Sequence, residues 1–286
     1  NPQDQTGAPL AGGGLAQEVY TFPLSFAQQR IWLLAQLERH GAAYHVSDGF
    51  TLSGPLDAGA LERALDEIVA RHESLRTTFA VVDGEPAQVV APERSAALAS
   101  SDLSALGLPE REATLQALSA EHAAAPFDLA AGPLARFRLV RLEEERHVLL
   151  VTMHHLVTDG WSEGVFTDEL VALYRAFAAG QASPLAELPI QYGDYSVWER
   201  EWLQGETLDG LVGWWREALA GAPGALDLPT DRPRPAEPSH HGATLGFALD
   251  DGARRALAEL ARAEEASLHA ALLAAYGVLL HRRSGQ

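Results

Sequence analysis

The spacing of hydrophobic and polar positions changes period several times along this chain, which predicts a mixed α/β fold. Apolar residues that recur every three to four positions give a helix one apolar face, whereas alternating or continuous apolar residues indicate a strand. The predicted helices cover residues 26–37, 57–71, 111–125, 162–179, 192–203, 208–220, 251–263 and 268–283. The predicted strands cover residues 44–52, 87–90, 135–139, 148–153 and 243–249, and a further strand leads from residue 79 to a turn at residue 83.

Turn and cap residues predict where several of these elements end. Asp83-Gly84 is a strong signal for a tight hairpin. The acidic residues 143–145 form an exposed turn, so the strands on either side are expected to run antiparallel. Ser25 is a favoured N-cap for the first helix, and Gly180 suits the position just after the end of the fourth.

The two ends of the chain raise questions of domain organisation. Residues 1–20 are polar with a Gly12-Gly13-Gly14 run, which predicts a linker or a disordered tail. The proline-containing stretch 182–189 predicts a connector between lobes. The last helix carries an apolar face around Leu273, and either earlier segments cover that face or part of the folded unit lies outside this chain.

Composition and charge exclude several functional classes. Hydrophobic residues make up 47% of the 286 positions and charged residues 21%, as in an ordinary globular protein. No apolar run approaches the roughly 20 residues of a membrane helix, so we expect a soluble, cytoplasmic protein with no membrane partner. The net charge of −18 argues against a nucleic-acid partner. Cysteine and lysine are absent, which excludes a thiolate nucleophile, a disulfide framework and a Schiff-base lysine.

The richest chemistry follows the apolar strand that begins at Val148. It ends in His154 and His155, and Asp159 and Gly160 follow in a short loop. Adjacent side chains at a strand end point in opposite directions, so we expect one histidine to face a cavity and the other to pack into the structure. Histidine is the side chain best suited to moving protons near neutral pH. Asp159 can either orient an imidazole or pair with an arginine and hold the loop.

Other site types lack their signatures. Two adjacent histidines do not give the helical i, i+4 spacing of a zinc site, so we expect no metal. No glycine-rich phosphate loop is present. The residues alone therefore predict a histidine general base acting on an unknown substrate.

Several ordered motifs resemble the condensation domains of nonribosomal peptide synthetases. The stretch His154-His-Leu-Val-Thr-Asp-Gly160 is similar to the HHxxxDG signature of that family. Further similar motifs are Leu24-Ser-Phe-Ala-Gln-Gln-Arg-Ile-Trp-Leu33, Arg71-His-Glu-Ser-Leu-Arg-Thr-Thr-Phe79, Pro126-Phe-Asp-Leu129, Tyr192-Gly-Asp-Tyr-Ser-Val-Trp198 and Leu228-Pro-Thr-Asp-Arg-Pro-Arg-Pro235. The resemblance runs from about Phe22 to Gln286.

This resemblance implies a chloramphenicol acetyltransferase-like, two-lobed and V-shaped α/β fold. It places an N-terminal lobe in residues 21–180 and a connector with a partial C-terminal lobe in residues 181–286. Family members are longer, so the resemblance also implies that the chain is C-terminally incomplete, which leaves the activity of the isolated chain in question. The implied enzyme is an acyltransferase that forms an amide bond between a donor acyl or peptidyl thioester and an acceptor aminoacyl thioester.

The resemblance assigns roles to residues one by one. His155 matches the catalytic histidine, which deprotonates the attacking amine or mainly positions it, and His154 matches a structural one. Asp159 is implied to hold the loop through an arginine, with Arg30 and Arg283 as candidates. Gly160 lies where a side chain would crowd the amine. Trp161 and Ser162 complete the loop.

The resemblance also implies partners and a subtype. No intrinsic cofactor is implied, because both substrates arrive on the phosphopantetheine arms of upstream donor and downstream acceptor peptidyl carrier proteins. An adenylation domain is expected next to the chain in the same synthetase. The amino-acid sequences of the motifs favour the subtype that joins two L-configured residues. The implied pathway is the biosynthesis of an antibiotic or another secondary metabolite.

Two other functions stay open at this point. One is a non-catalytic docking module with the same fold that binds a carrier protein or a tailoring enzyme. The other is a freestanding acetyltransferase-like enzyme that uses coenzyme A, although the second to fourth motifs fit it less well. The intact histidine signature favours the condensation enzyme over a module with a decayed site.

Overall fold

The computed structural model describes residues 19–37, 42–233, 235–236, 242–243 and 245–286. The chain divides into two compact units, Asn1–Asp209 and Gly210–Gln286. Most of the predicted N-terminal tail lies outside the described residues. The predicted lobe boundaries at residues 20 and 180 stay predictions.

The first unit contains two β-sheets. Strand β1 (Tyr20–Pro23), β3 (Thr77–Val82) and β4 (Glu85–Val90) form an antiparallel sheet in the order β1-β4-β3. The second sheet has the order β2-β7-β6-β5, and its strands are β2 (His45–Ser53), β5 (Ala99–Asp102), β6 (Ala135–Glu143) and β7 (Arg146–His154). Its pairs are antiparallel except for β5 with β6, which is parallel.

Helices cover both faces of the four-stranded sheet. The helices of the first unit are α1 (Phe26–Leu37), α2 (Ala58–Arg71), α3 (Leu108–Ala124), α4 (Gly160–Ala178) and α5 (Tyr192–Trp202), and a short 3₁₀ turn spans Glu73–Arg76. Helices α2 and α4 contribute to the core on one face of the sheet, and α3 to the core on the other. Helix α5 contacts β1 and α1.

Strand β7 is buried on both faces, which explains its continuous apolar sequence. Leu149, Val151 and Met153 point into the larger core with α2 and α4, whereas Val148 and Leu150 point into the smaller core beneath α3. Successive side chains of a strand alternate between its faces, so two cores need apolar residues at every position. The strand therefore runs through the middle of the unit and delivers its last residue, His154, to the end of the sheet.

Most predicted elements of the first unit are confirmed. The hairpin between β3 and β4 turns at Asp83 and Gly84, both with left-handed φ angles of 52° and 86°. Strands β6 and β7 pair antiparallel as expected. Strand β5 was not predicted, because its sequence Ala-Ser-Ser-Asp carries no apolar alternation. Strand β1 was also not predicted.

The second unit consists of helices with exposed apolar faces. It holds α7 (Asp251–Ala263), α8 (Leu268–Ser284) and most of α6 (Gly205–Ala218). Asp250 caps α7 and Ser267 caps α8 through their side-chain oxygens. Of the apolar residues of α8 expected to need cover, Leu272, Leu273, Tyr276 and Leu279 are exposed and Leu280 is half-buried.

The predicted strand over residues 243–249 is wrong for the residues that the structure describes. Residues 245–249 have no regular secondary structure, and Leu245 and Phe247 are almost fully exposed. A strand is held by pairing with a neighbour. Neither sheet of the described chain includes this segment, so its alternating sequence has no partner strand there.

Candidate active site

His154 ends β7, and His155 begins the turn that leads to α4. The backbone N–H of His154 donates to the carbonyl of Leu134 at 2.9 Å, and that of His155 donates to Tyr44 at 2.8 Å. The N–H of Val157 closes the turn by donating to the carbonyl of His154 at 2.9 Å. The backbone that carries both imidazoles is therefore tied to the residue that precedes β2 and to the residue that precedes β6.

His154 is a buried, neutral structural residue. Only 3% of its surface is exposed, and its ring lies among the rings of Tyr44, His45 and Phe127. Its Nδ1 accepts a hydrogen bond from the N–H of Leu156 at 3.1 Å. Burial lowers the pKa of His154 to about 4, and repulsion from His45 and His155 adds to the effect. An imidazole held in this way stays uncharged near neutral pH.

His155 is exposed, and its tautomer is fixed. Its Nδ1 lies 2.8 Å from the carbonyl oxygen of Thr158. A carbonyl oxygen can only accept, so Nδ1 carries the proton and Nε2 holds a free lone pair when the ring is neutral. The expectation that adjacent histidines differ in environment is confirmed, since one is buried and the other lines a cavity. The arrangement is that of a positioned base.

Asp159 caps helix α4 and does not orient the imidazole. Its Oδ1 accepts from the N–H of Trp161 at 3.1 Å, from the N–H of Ser162 at 2.8 Å and from the hydroxyl of Ser162 at 2.7 Å. These bonds, chiefly those from Ser162, lower the pKa of the carboxyl group. The His–Asp orientation considered from the sequence is not formed, because His155 uses Thr158 instead.

The arginine expected to pair with Asp159 stays a prediction. The ion pairs found between described residues do not include Asp159. Arg30, on α1, lines the same cavity as Asp159. Arg283, the other candidate, belongs to α8 in the second unit.

The beginning of α4 leaves space beside the loop. A Cβ atom built on Gly160 meets no described atom within 4 Å outside its two neighbouring residues and the adjoining backbone of α4, so packing within the described chain leaves room for a side chain there. The neighbouring Trp161 is 83% exposed.

A cavity of about 580 Å³ adjoins the loop. A volume of this size is typical of small-molecule sites. Its polar lining comes from α1, the residue before β2, the 3₁₀ turn, the loop and the start of α4, and α5; its members include Gln28, Arg30, Tyr44, Ser74, His155, Thr158, Asp159, Ser162 and Tyr192. Of the residues that the sequence analysis assigned to the site, Arg30, His155, Asp159 and Ser162 line this cavity.

The sequence analysis did not assign a site role to Gln28 or Tyr192. Both lie within motifs that resemble the family, but nothing in their local sequence shows that they meet the loop. The Tyr192 hydroxyl lies 3.0 Å from the Ser25 hydroxyl. Burial is the main cause that raises the pKa of Tyr192, so its hydroxyl stays protonated near neutral pH.

The described residues offer neither a metal site nor a membrane-spanning helix. No group of three or more histidine, aspartate or glutamate side chains there is placed to hold a metal ion. Within the same residues, no helix is both long and apolar enough to span a membrane.

Comparisons with known proteins agree on one family. The family model described as Condensation domain matches residues 18–286. One of the linear gramicidin synthase proteins of Brevibacillus parabrevis is 46% identical over 264 residues, which are 92% of this chain and 5% of that protein. This chain thus spans a small part of the curated relative.

Solved structures show the same similarity. The complex of the X-domain and OxyB from teicoplanin biosynthesis matches with a TM-score of 0.77 and 34% identity, over 98% of this chain and 60% of that chain. The first condensation domain of the CDA synthetase matches with a TM-score of 0.74 and 28% identity, over 93% of this chain and 63% of that chain. The predicted α/β fold of the chloramphenicol acetyltransferase type is consistent with these matches.

Proposed function

Because the chain belongs to the condensation-domain family, we propose that it forms peptide bonds in nonribosomal peptide synthesis, with His155 as its catalytic residue. The observation that carries this proposal is the geometry of His155. Its Nδ1–H donates to the carbonyl of Thr158, in a turn that lines the 580 Å³ cavity. This hydrogen bond leaves the lone pair of Nε2 free to act as a base. A general base must offer a free lone pair within reach of the proton that it takes.

The proposed reaction transfers an acyl group from sulfur to nitrogen. The amine of the acceptor aminoacyl thioester attacks the carbonyl carbon of the donor thioester, so a C–N bond forms and the C–S bond breaks. His155 Nε2 accepts a hydrogen bond from the amine, which positions it, and takes its proton as the bond forms. The proton then passes to the departing thiolate, which leaves as the free thiol of the donor arm.

The neighbouring residues support this step. His154 is neutral and buried, so it brings no positive charge to the turn that carries His155. Asp159 fixes the start of α4 through its three hydrogen bonds. Gly160 leaves open space at the point where a side chain would crowd the amine.

The wider assignment extends this proposal to partners. The substrates are carried on phosphopantetheine arms of an upstream donor and a downstream acceptor carrier protein, and an adenylation domain lies in the same synthetase. The chain joins two L-configured residues. The similarity to a linear gramicidin synthase protein supports the proposal of carrier-protein partners. The amino-acid sequences of the motifs support the subtype that joins two L-configured residues.

Replacement of His155 tests the catalytic role. His155→Ala, assayed in the complete synthetase with loaded donor and acceptor carriers, is expected to lower amide formation by roughly 10²–10⁴-fold. Arg146→Ala is a matched control, since Arg146 lies exposed at the other end of the same strand. Unchanged amide formation in the folded His155→Ala protein would remove His155 from the mechanism.

One comparison favours a second candidate function. The X-domain from teicoplanin biosynthesis, to which this chain is similar, was solved in complex with OxyB. A docking module for a tailoring enzyme would keep the fold and bind a partner without forming amides. Carrier or enzyme binding with no turnover of either substrate, in the wild-type synthetase, supports this function over the first.

A further inference from the structure

A buried hydrogen-bond relay runs from the histidine turn through the first unit. Gln28 of α1 is 3% exposed, Gln88 of β4 is 1% exposed, and Ser196 of α5 is fully buried. Gln28 Nε2 donates to Gln88 Oε1 at 3.0 Å, and Gln88 Nε2 donates to Ser196 Oγ at 3.0 Å. Three elements far apart in sequence are therefore joined by side chains that have almost no access to water.

One member of the relay reaches the histidine turn. The Nε2 of Gln28 also donates to the carbonyl of Leu156 at 3.1 Å. Leu156 directly follows His155, and its N–H is already engaged by His154. Within the described part of the chain, this is the one hydrogen bond that a side chain of another element donates to the backbone of residues 154–157. Gln28 also lines the cavity that His155 lines.

The relay has a fixed direction, which determines the orientation of both amides. The N–H of Ser25 donates to Gln28 Oε1 at 3.0 Å, so the Gln28 amide must present its nitrogen to Leu156 and Gln88. Gln88 in turn donates to the carbonyl of Pro23 at 2.8 Å, and Ser196 donates to the carbonyl of Tyr192 at 3.0 Å. Reversal of either amide would bring oxygens face to face in a buried site, which is costly.

From this geometry we infer that Gln28 is a positioning residue for amide formation: its Nε2–H···O bond to Leu156 holds the turn that carries His155 at the proposed site. The bond acts through the backbone and not on the substrate. The inference rests on the proposed function. It goes beyond that function by assigning a role to a residue of the first helix, whose chemistry alone gives no reason to place it in the site.

Paired variants separate this role from simple packing. Gln28→Met and Gln88→Met each replace a buried amide with an apolar side chain of similar shape, within the same relay. Only Gln28→Met removes the donor to Leu156, whereas Gln88→Met leaves that bond in place. Both leave buried polar atoms without partners, so similar losses of thermal stability are expected.

Kinetics of the loaded synthetase give the decisive measurement. We expect kcat of Gln28→Met to fall roughly tenfold to a hundredfold below that of Gln88→Met, because small displacements of a catalytic group cost this much. KM for the loaded carriers is expected to stay within about threefold of wild type, since the substrate makes no use of this bond. If Gln28 has only a structural role, kcat should fall equally in both variants.

Two outcomes would contradict this role of Gln28. Equal kcat values for folded Gln28→Met and Gln88→Met, or a change confined to KM, would overturn it. If Gln28→Met does not fold, Gln28→Leu takes its place, because it also removes the donor to Leu156, and the same kcat loss is expected. His155→Ala is measured alongside: activity retained there refutes the proposed function, whereas activity lost there with equal methionine variants refutes only the role of Gln28.

Discussion

The turn between β7 and α4 and the helices of the second unit are built in opposite ways. At the turn, backbone groups of His154, His155 and Leu156 bond to partners from three other parts of the first unit. Helices α7 and α8 instead use their own flanking residues as caps, and α8 exposes its apolar side chains. The turn therefore depends on tertiary structure, whereas those helices follow local signals. Substitutions should affect the two regions very differently.

Core truncation should give the largest contrast. Leu149→Ala, in β7, removes a fully buried side chain and is expected to lower the free energy of unfolding by about 2–5 kcal/mol. Leu273→Ala, in α8, is the same substitution at a position that is 59% exposed, and less than about 0.5 kcal/mol is expected. Urea unfolding of both variants provides the measurement. Equal losses would show that the face of α8 is covered in solution.

Acid is expected to have the second-largest effect, a loss of folding stability through protonation of His154. His154 has a pKa of about 4 in the folded chain against 6.5 in the unfolded chain. Between these values the unfolded state binds more protons, so stability is complete above pH 6.5 and declines until the pH falls to about 4. The total loss from this group is about 3 kcal/mol.

The acid effect is measured as a difference between two proteins. Unfolding free energies of wild type and His154→Gln are compared at about pH 7.5 and about pH 5, on either side of the unfolded pKa, so that other histidines cancel. The wild type is expected to lose more stability than the variant. Parallel pH profiles would mean that His154 is not held neutral by burial.

A cap substitution in the second unit should have a smaller and more local effect than the loss of a core side chain or the protonation of His154. Ser267 Oγ accepts from the N–H of Ala270 at 3.1 Å at the start of α8. Ser267→Ala is expected to cost about 1 kcal/mol, the usual value of an N-cap. Hydrogen exchange should speed up in the first turn of α8 and leave β7 unchanged. Faster exchange throughout β7 would contradict the local character of this helix.

The elements that were predicted well are those whose signals are local. Helix α7 matches its predicted range, and the Asp83-Gly84 hairpin forms as its sequence indicates. Strand β5 was missed because pairing with β6, and not its own sequence, makes it a strand. Residues 245–249 show the converse, since an alternating pattern without a partner strand stays irregular.

The candidate site likewise combines features predicted by the local sequence with features that depend on tertiary contacts. The pair His154 and His155 was recognisable because two titratable groups end an apolar strand. Which of them is buried, and which ring nitrogen carries the proton, follows from contacts with Leu156 and Thr158 that only the folded turn provides. The contribution of Gln28 could not be predicted, because its partner is 128 residues away.

The open space at Gly160 has a consequence for how this protein would be surveyed. A mutational scan that scores only the amount of folded protein would rate Gly160→Ala as tolerated, because no described atom obstructs the new methyl group. A scan that scores product would rank the same variant among the harmful ones, if the amine passes where we propose. A large difference between the two scores at this position would show that the substrate passes Gly160, which a measurement of stability alone does not detect.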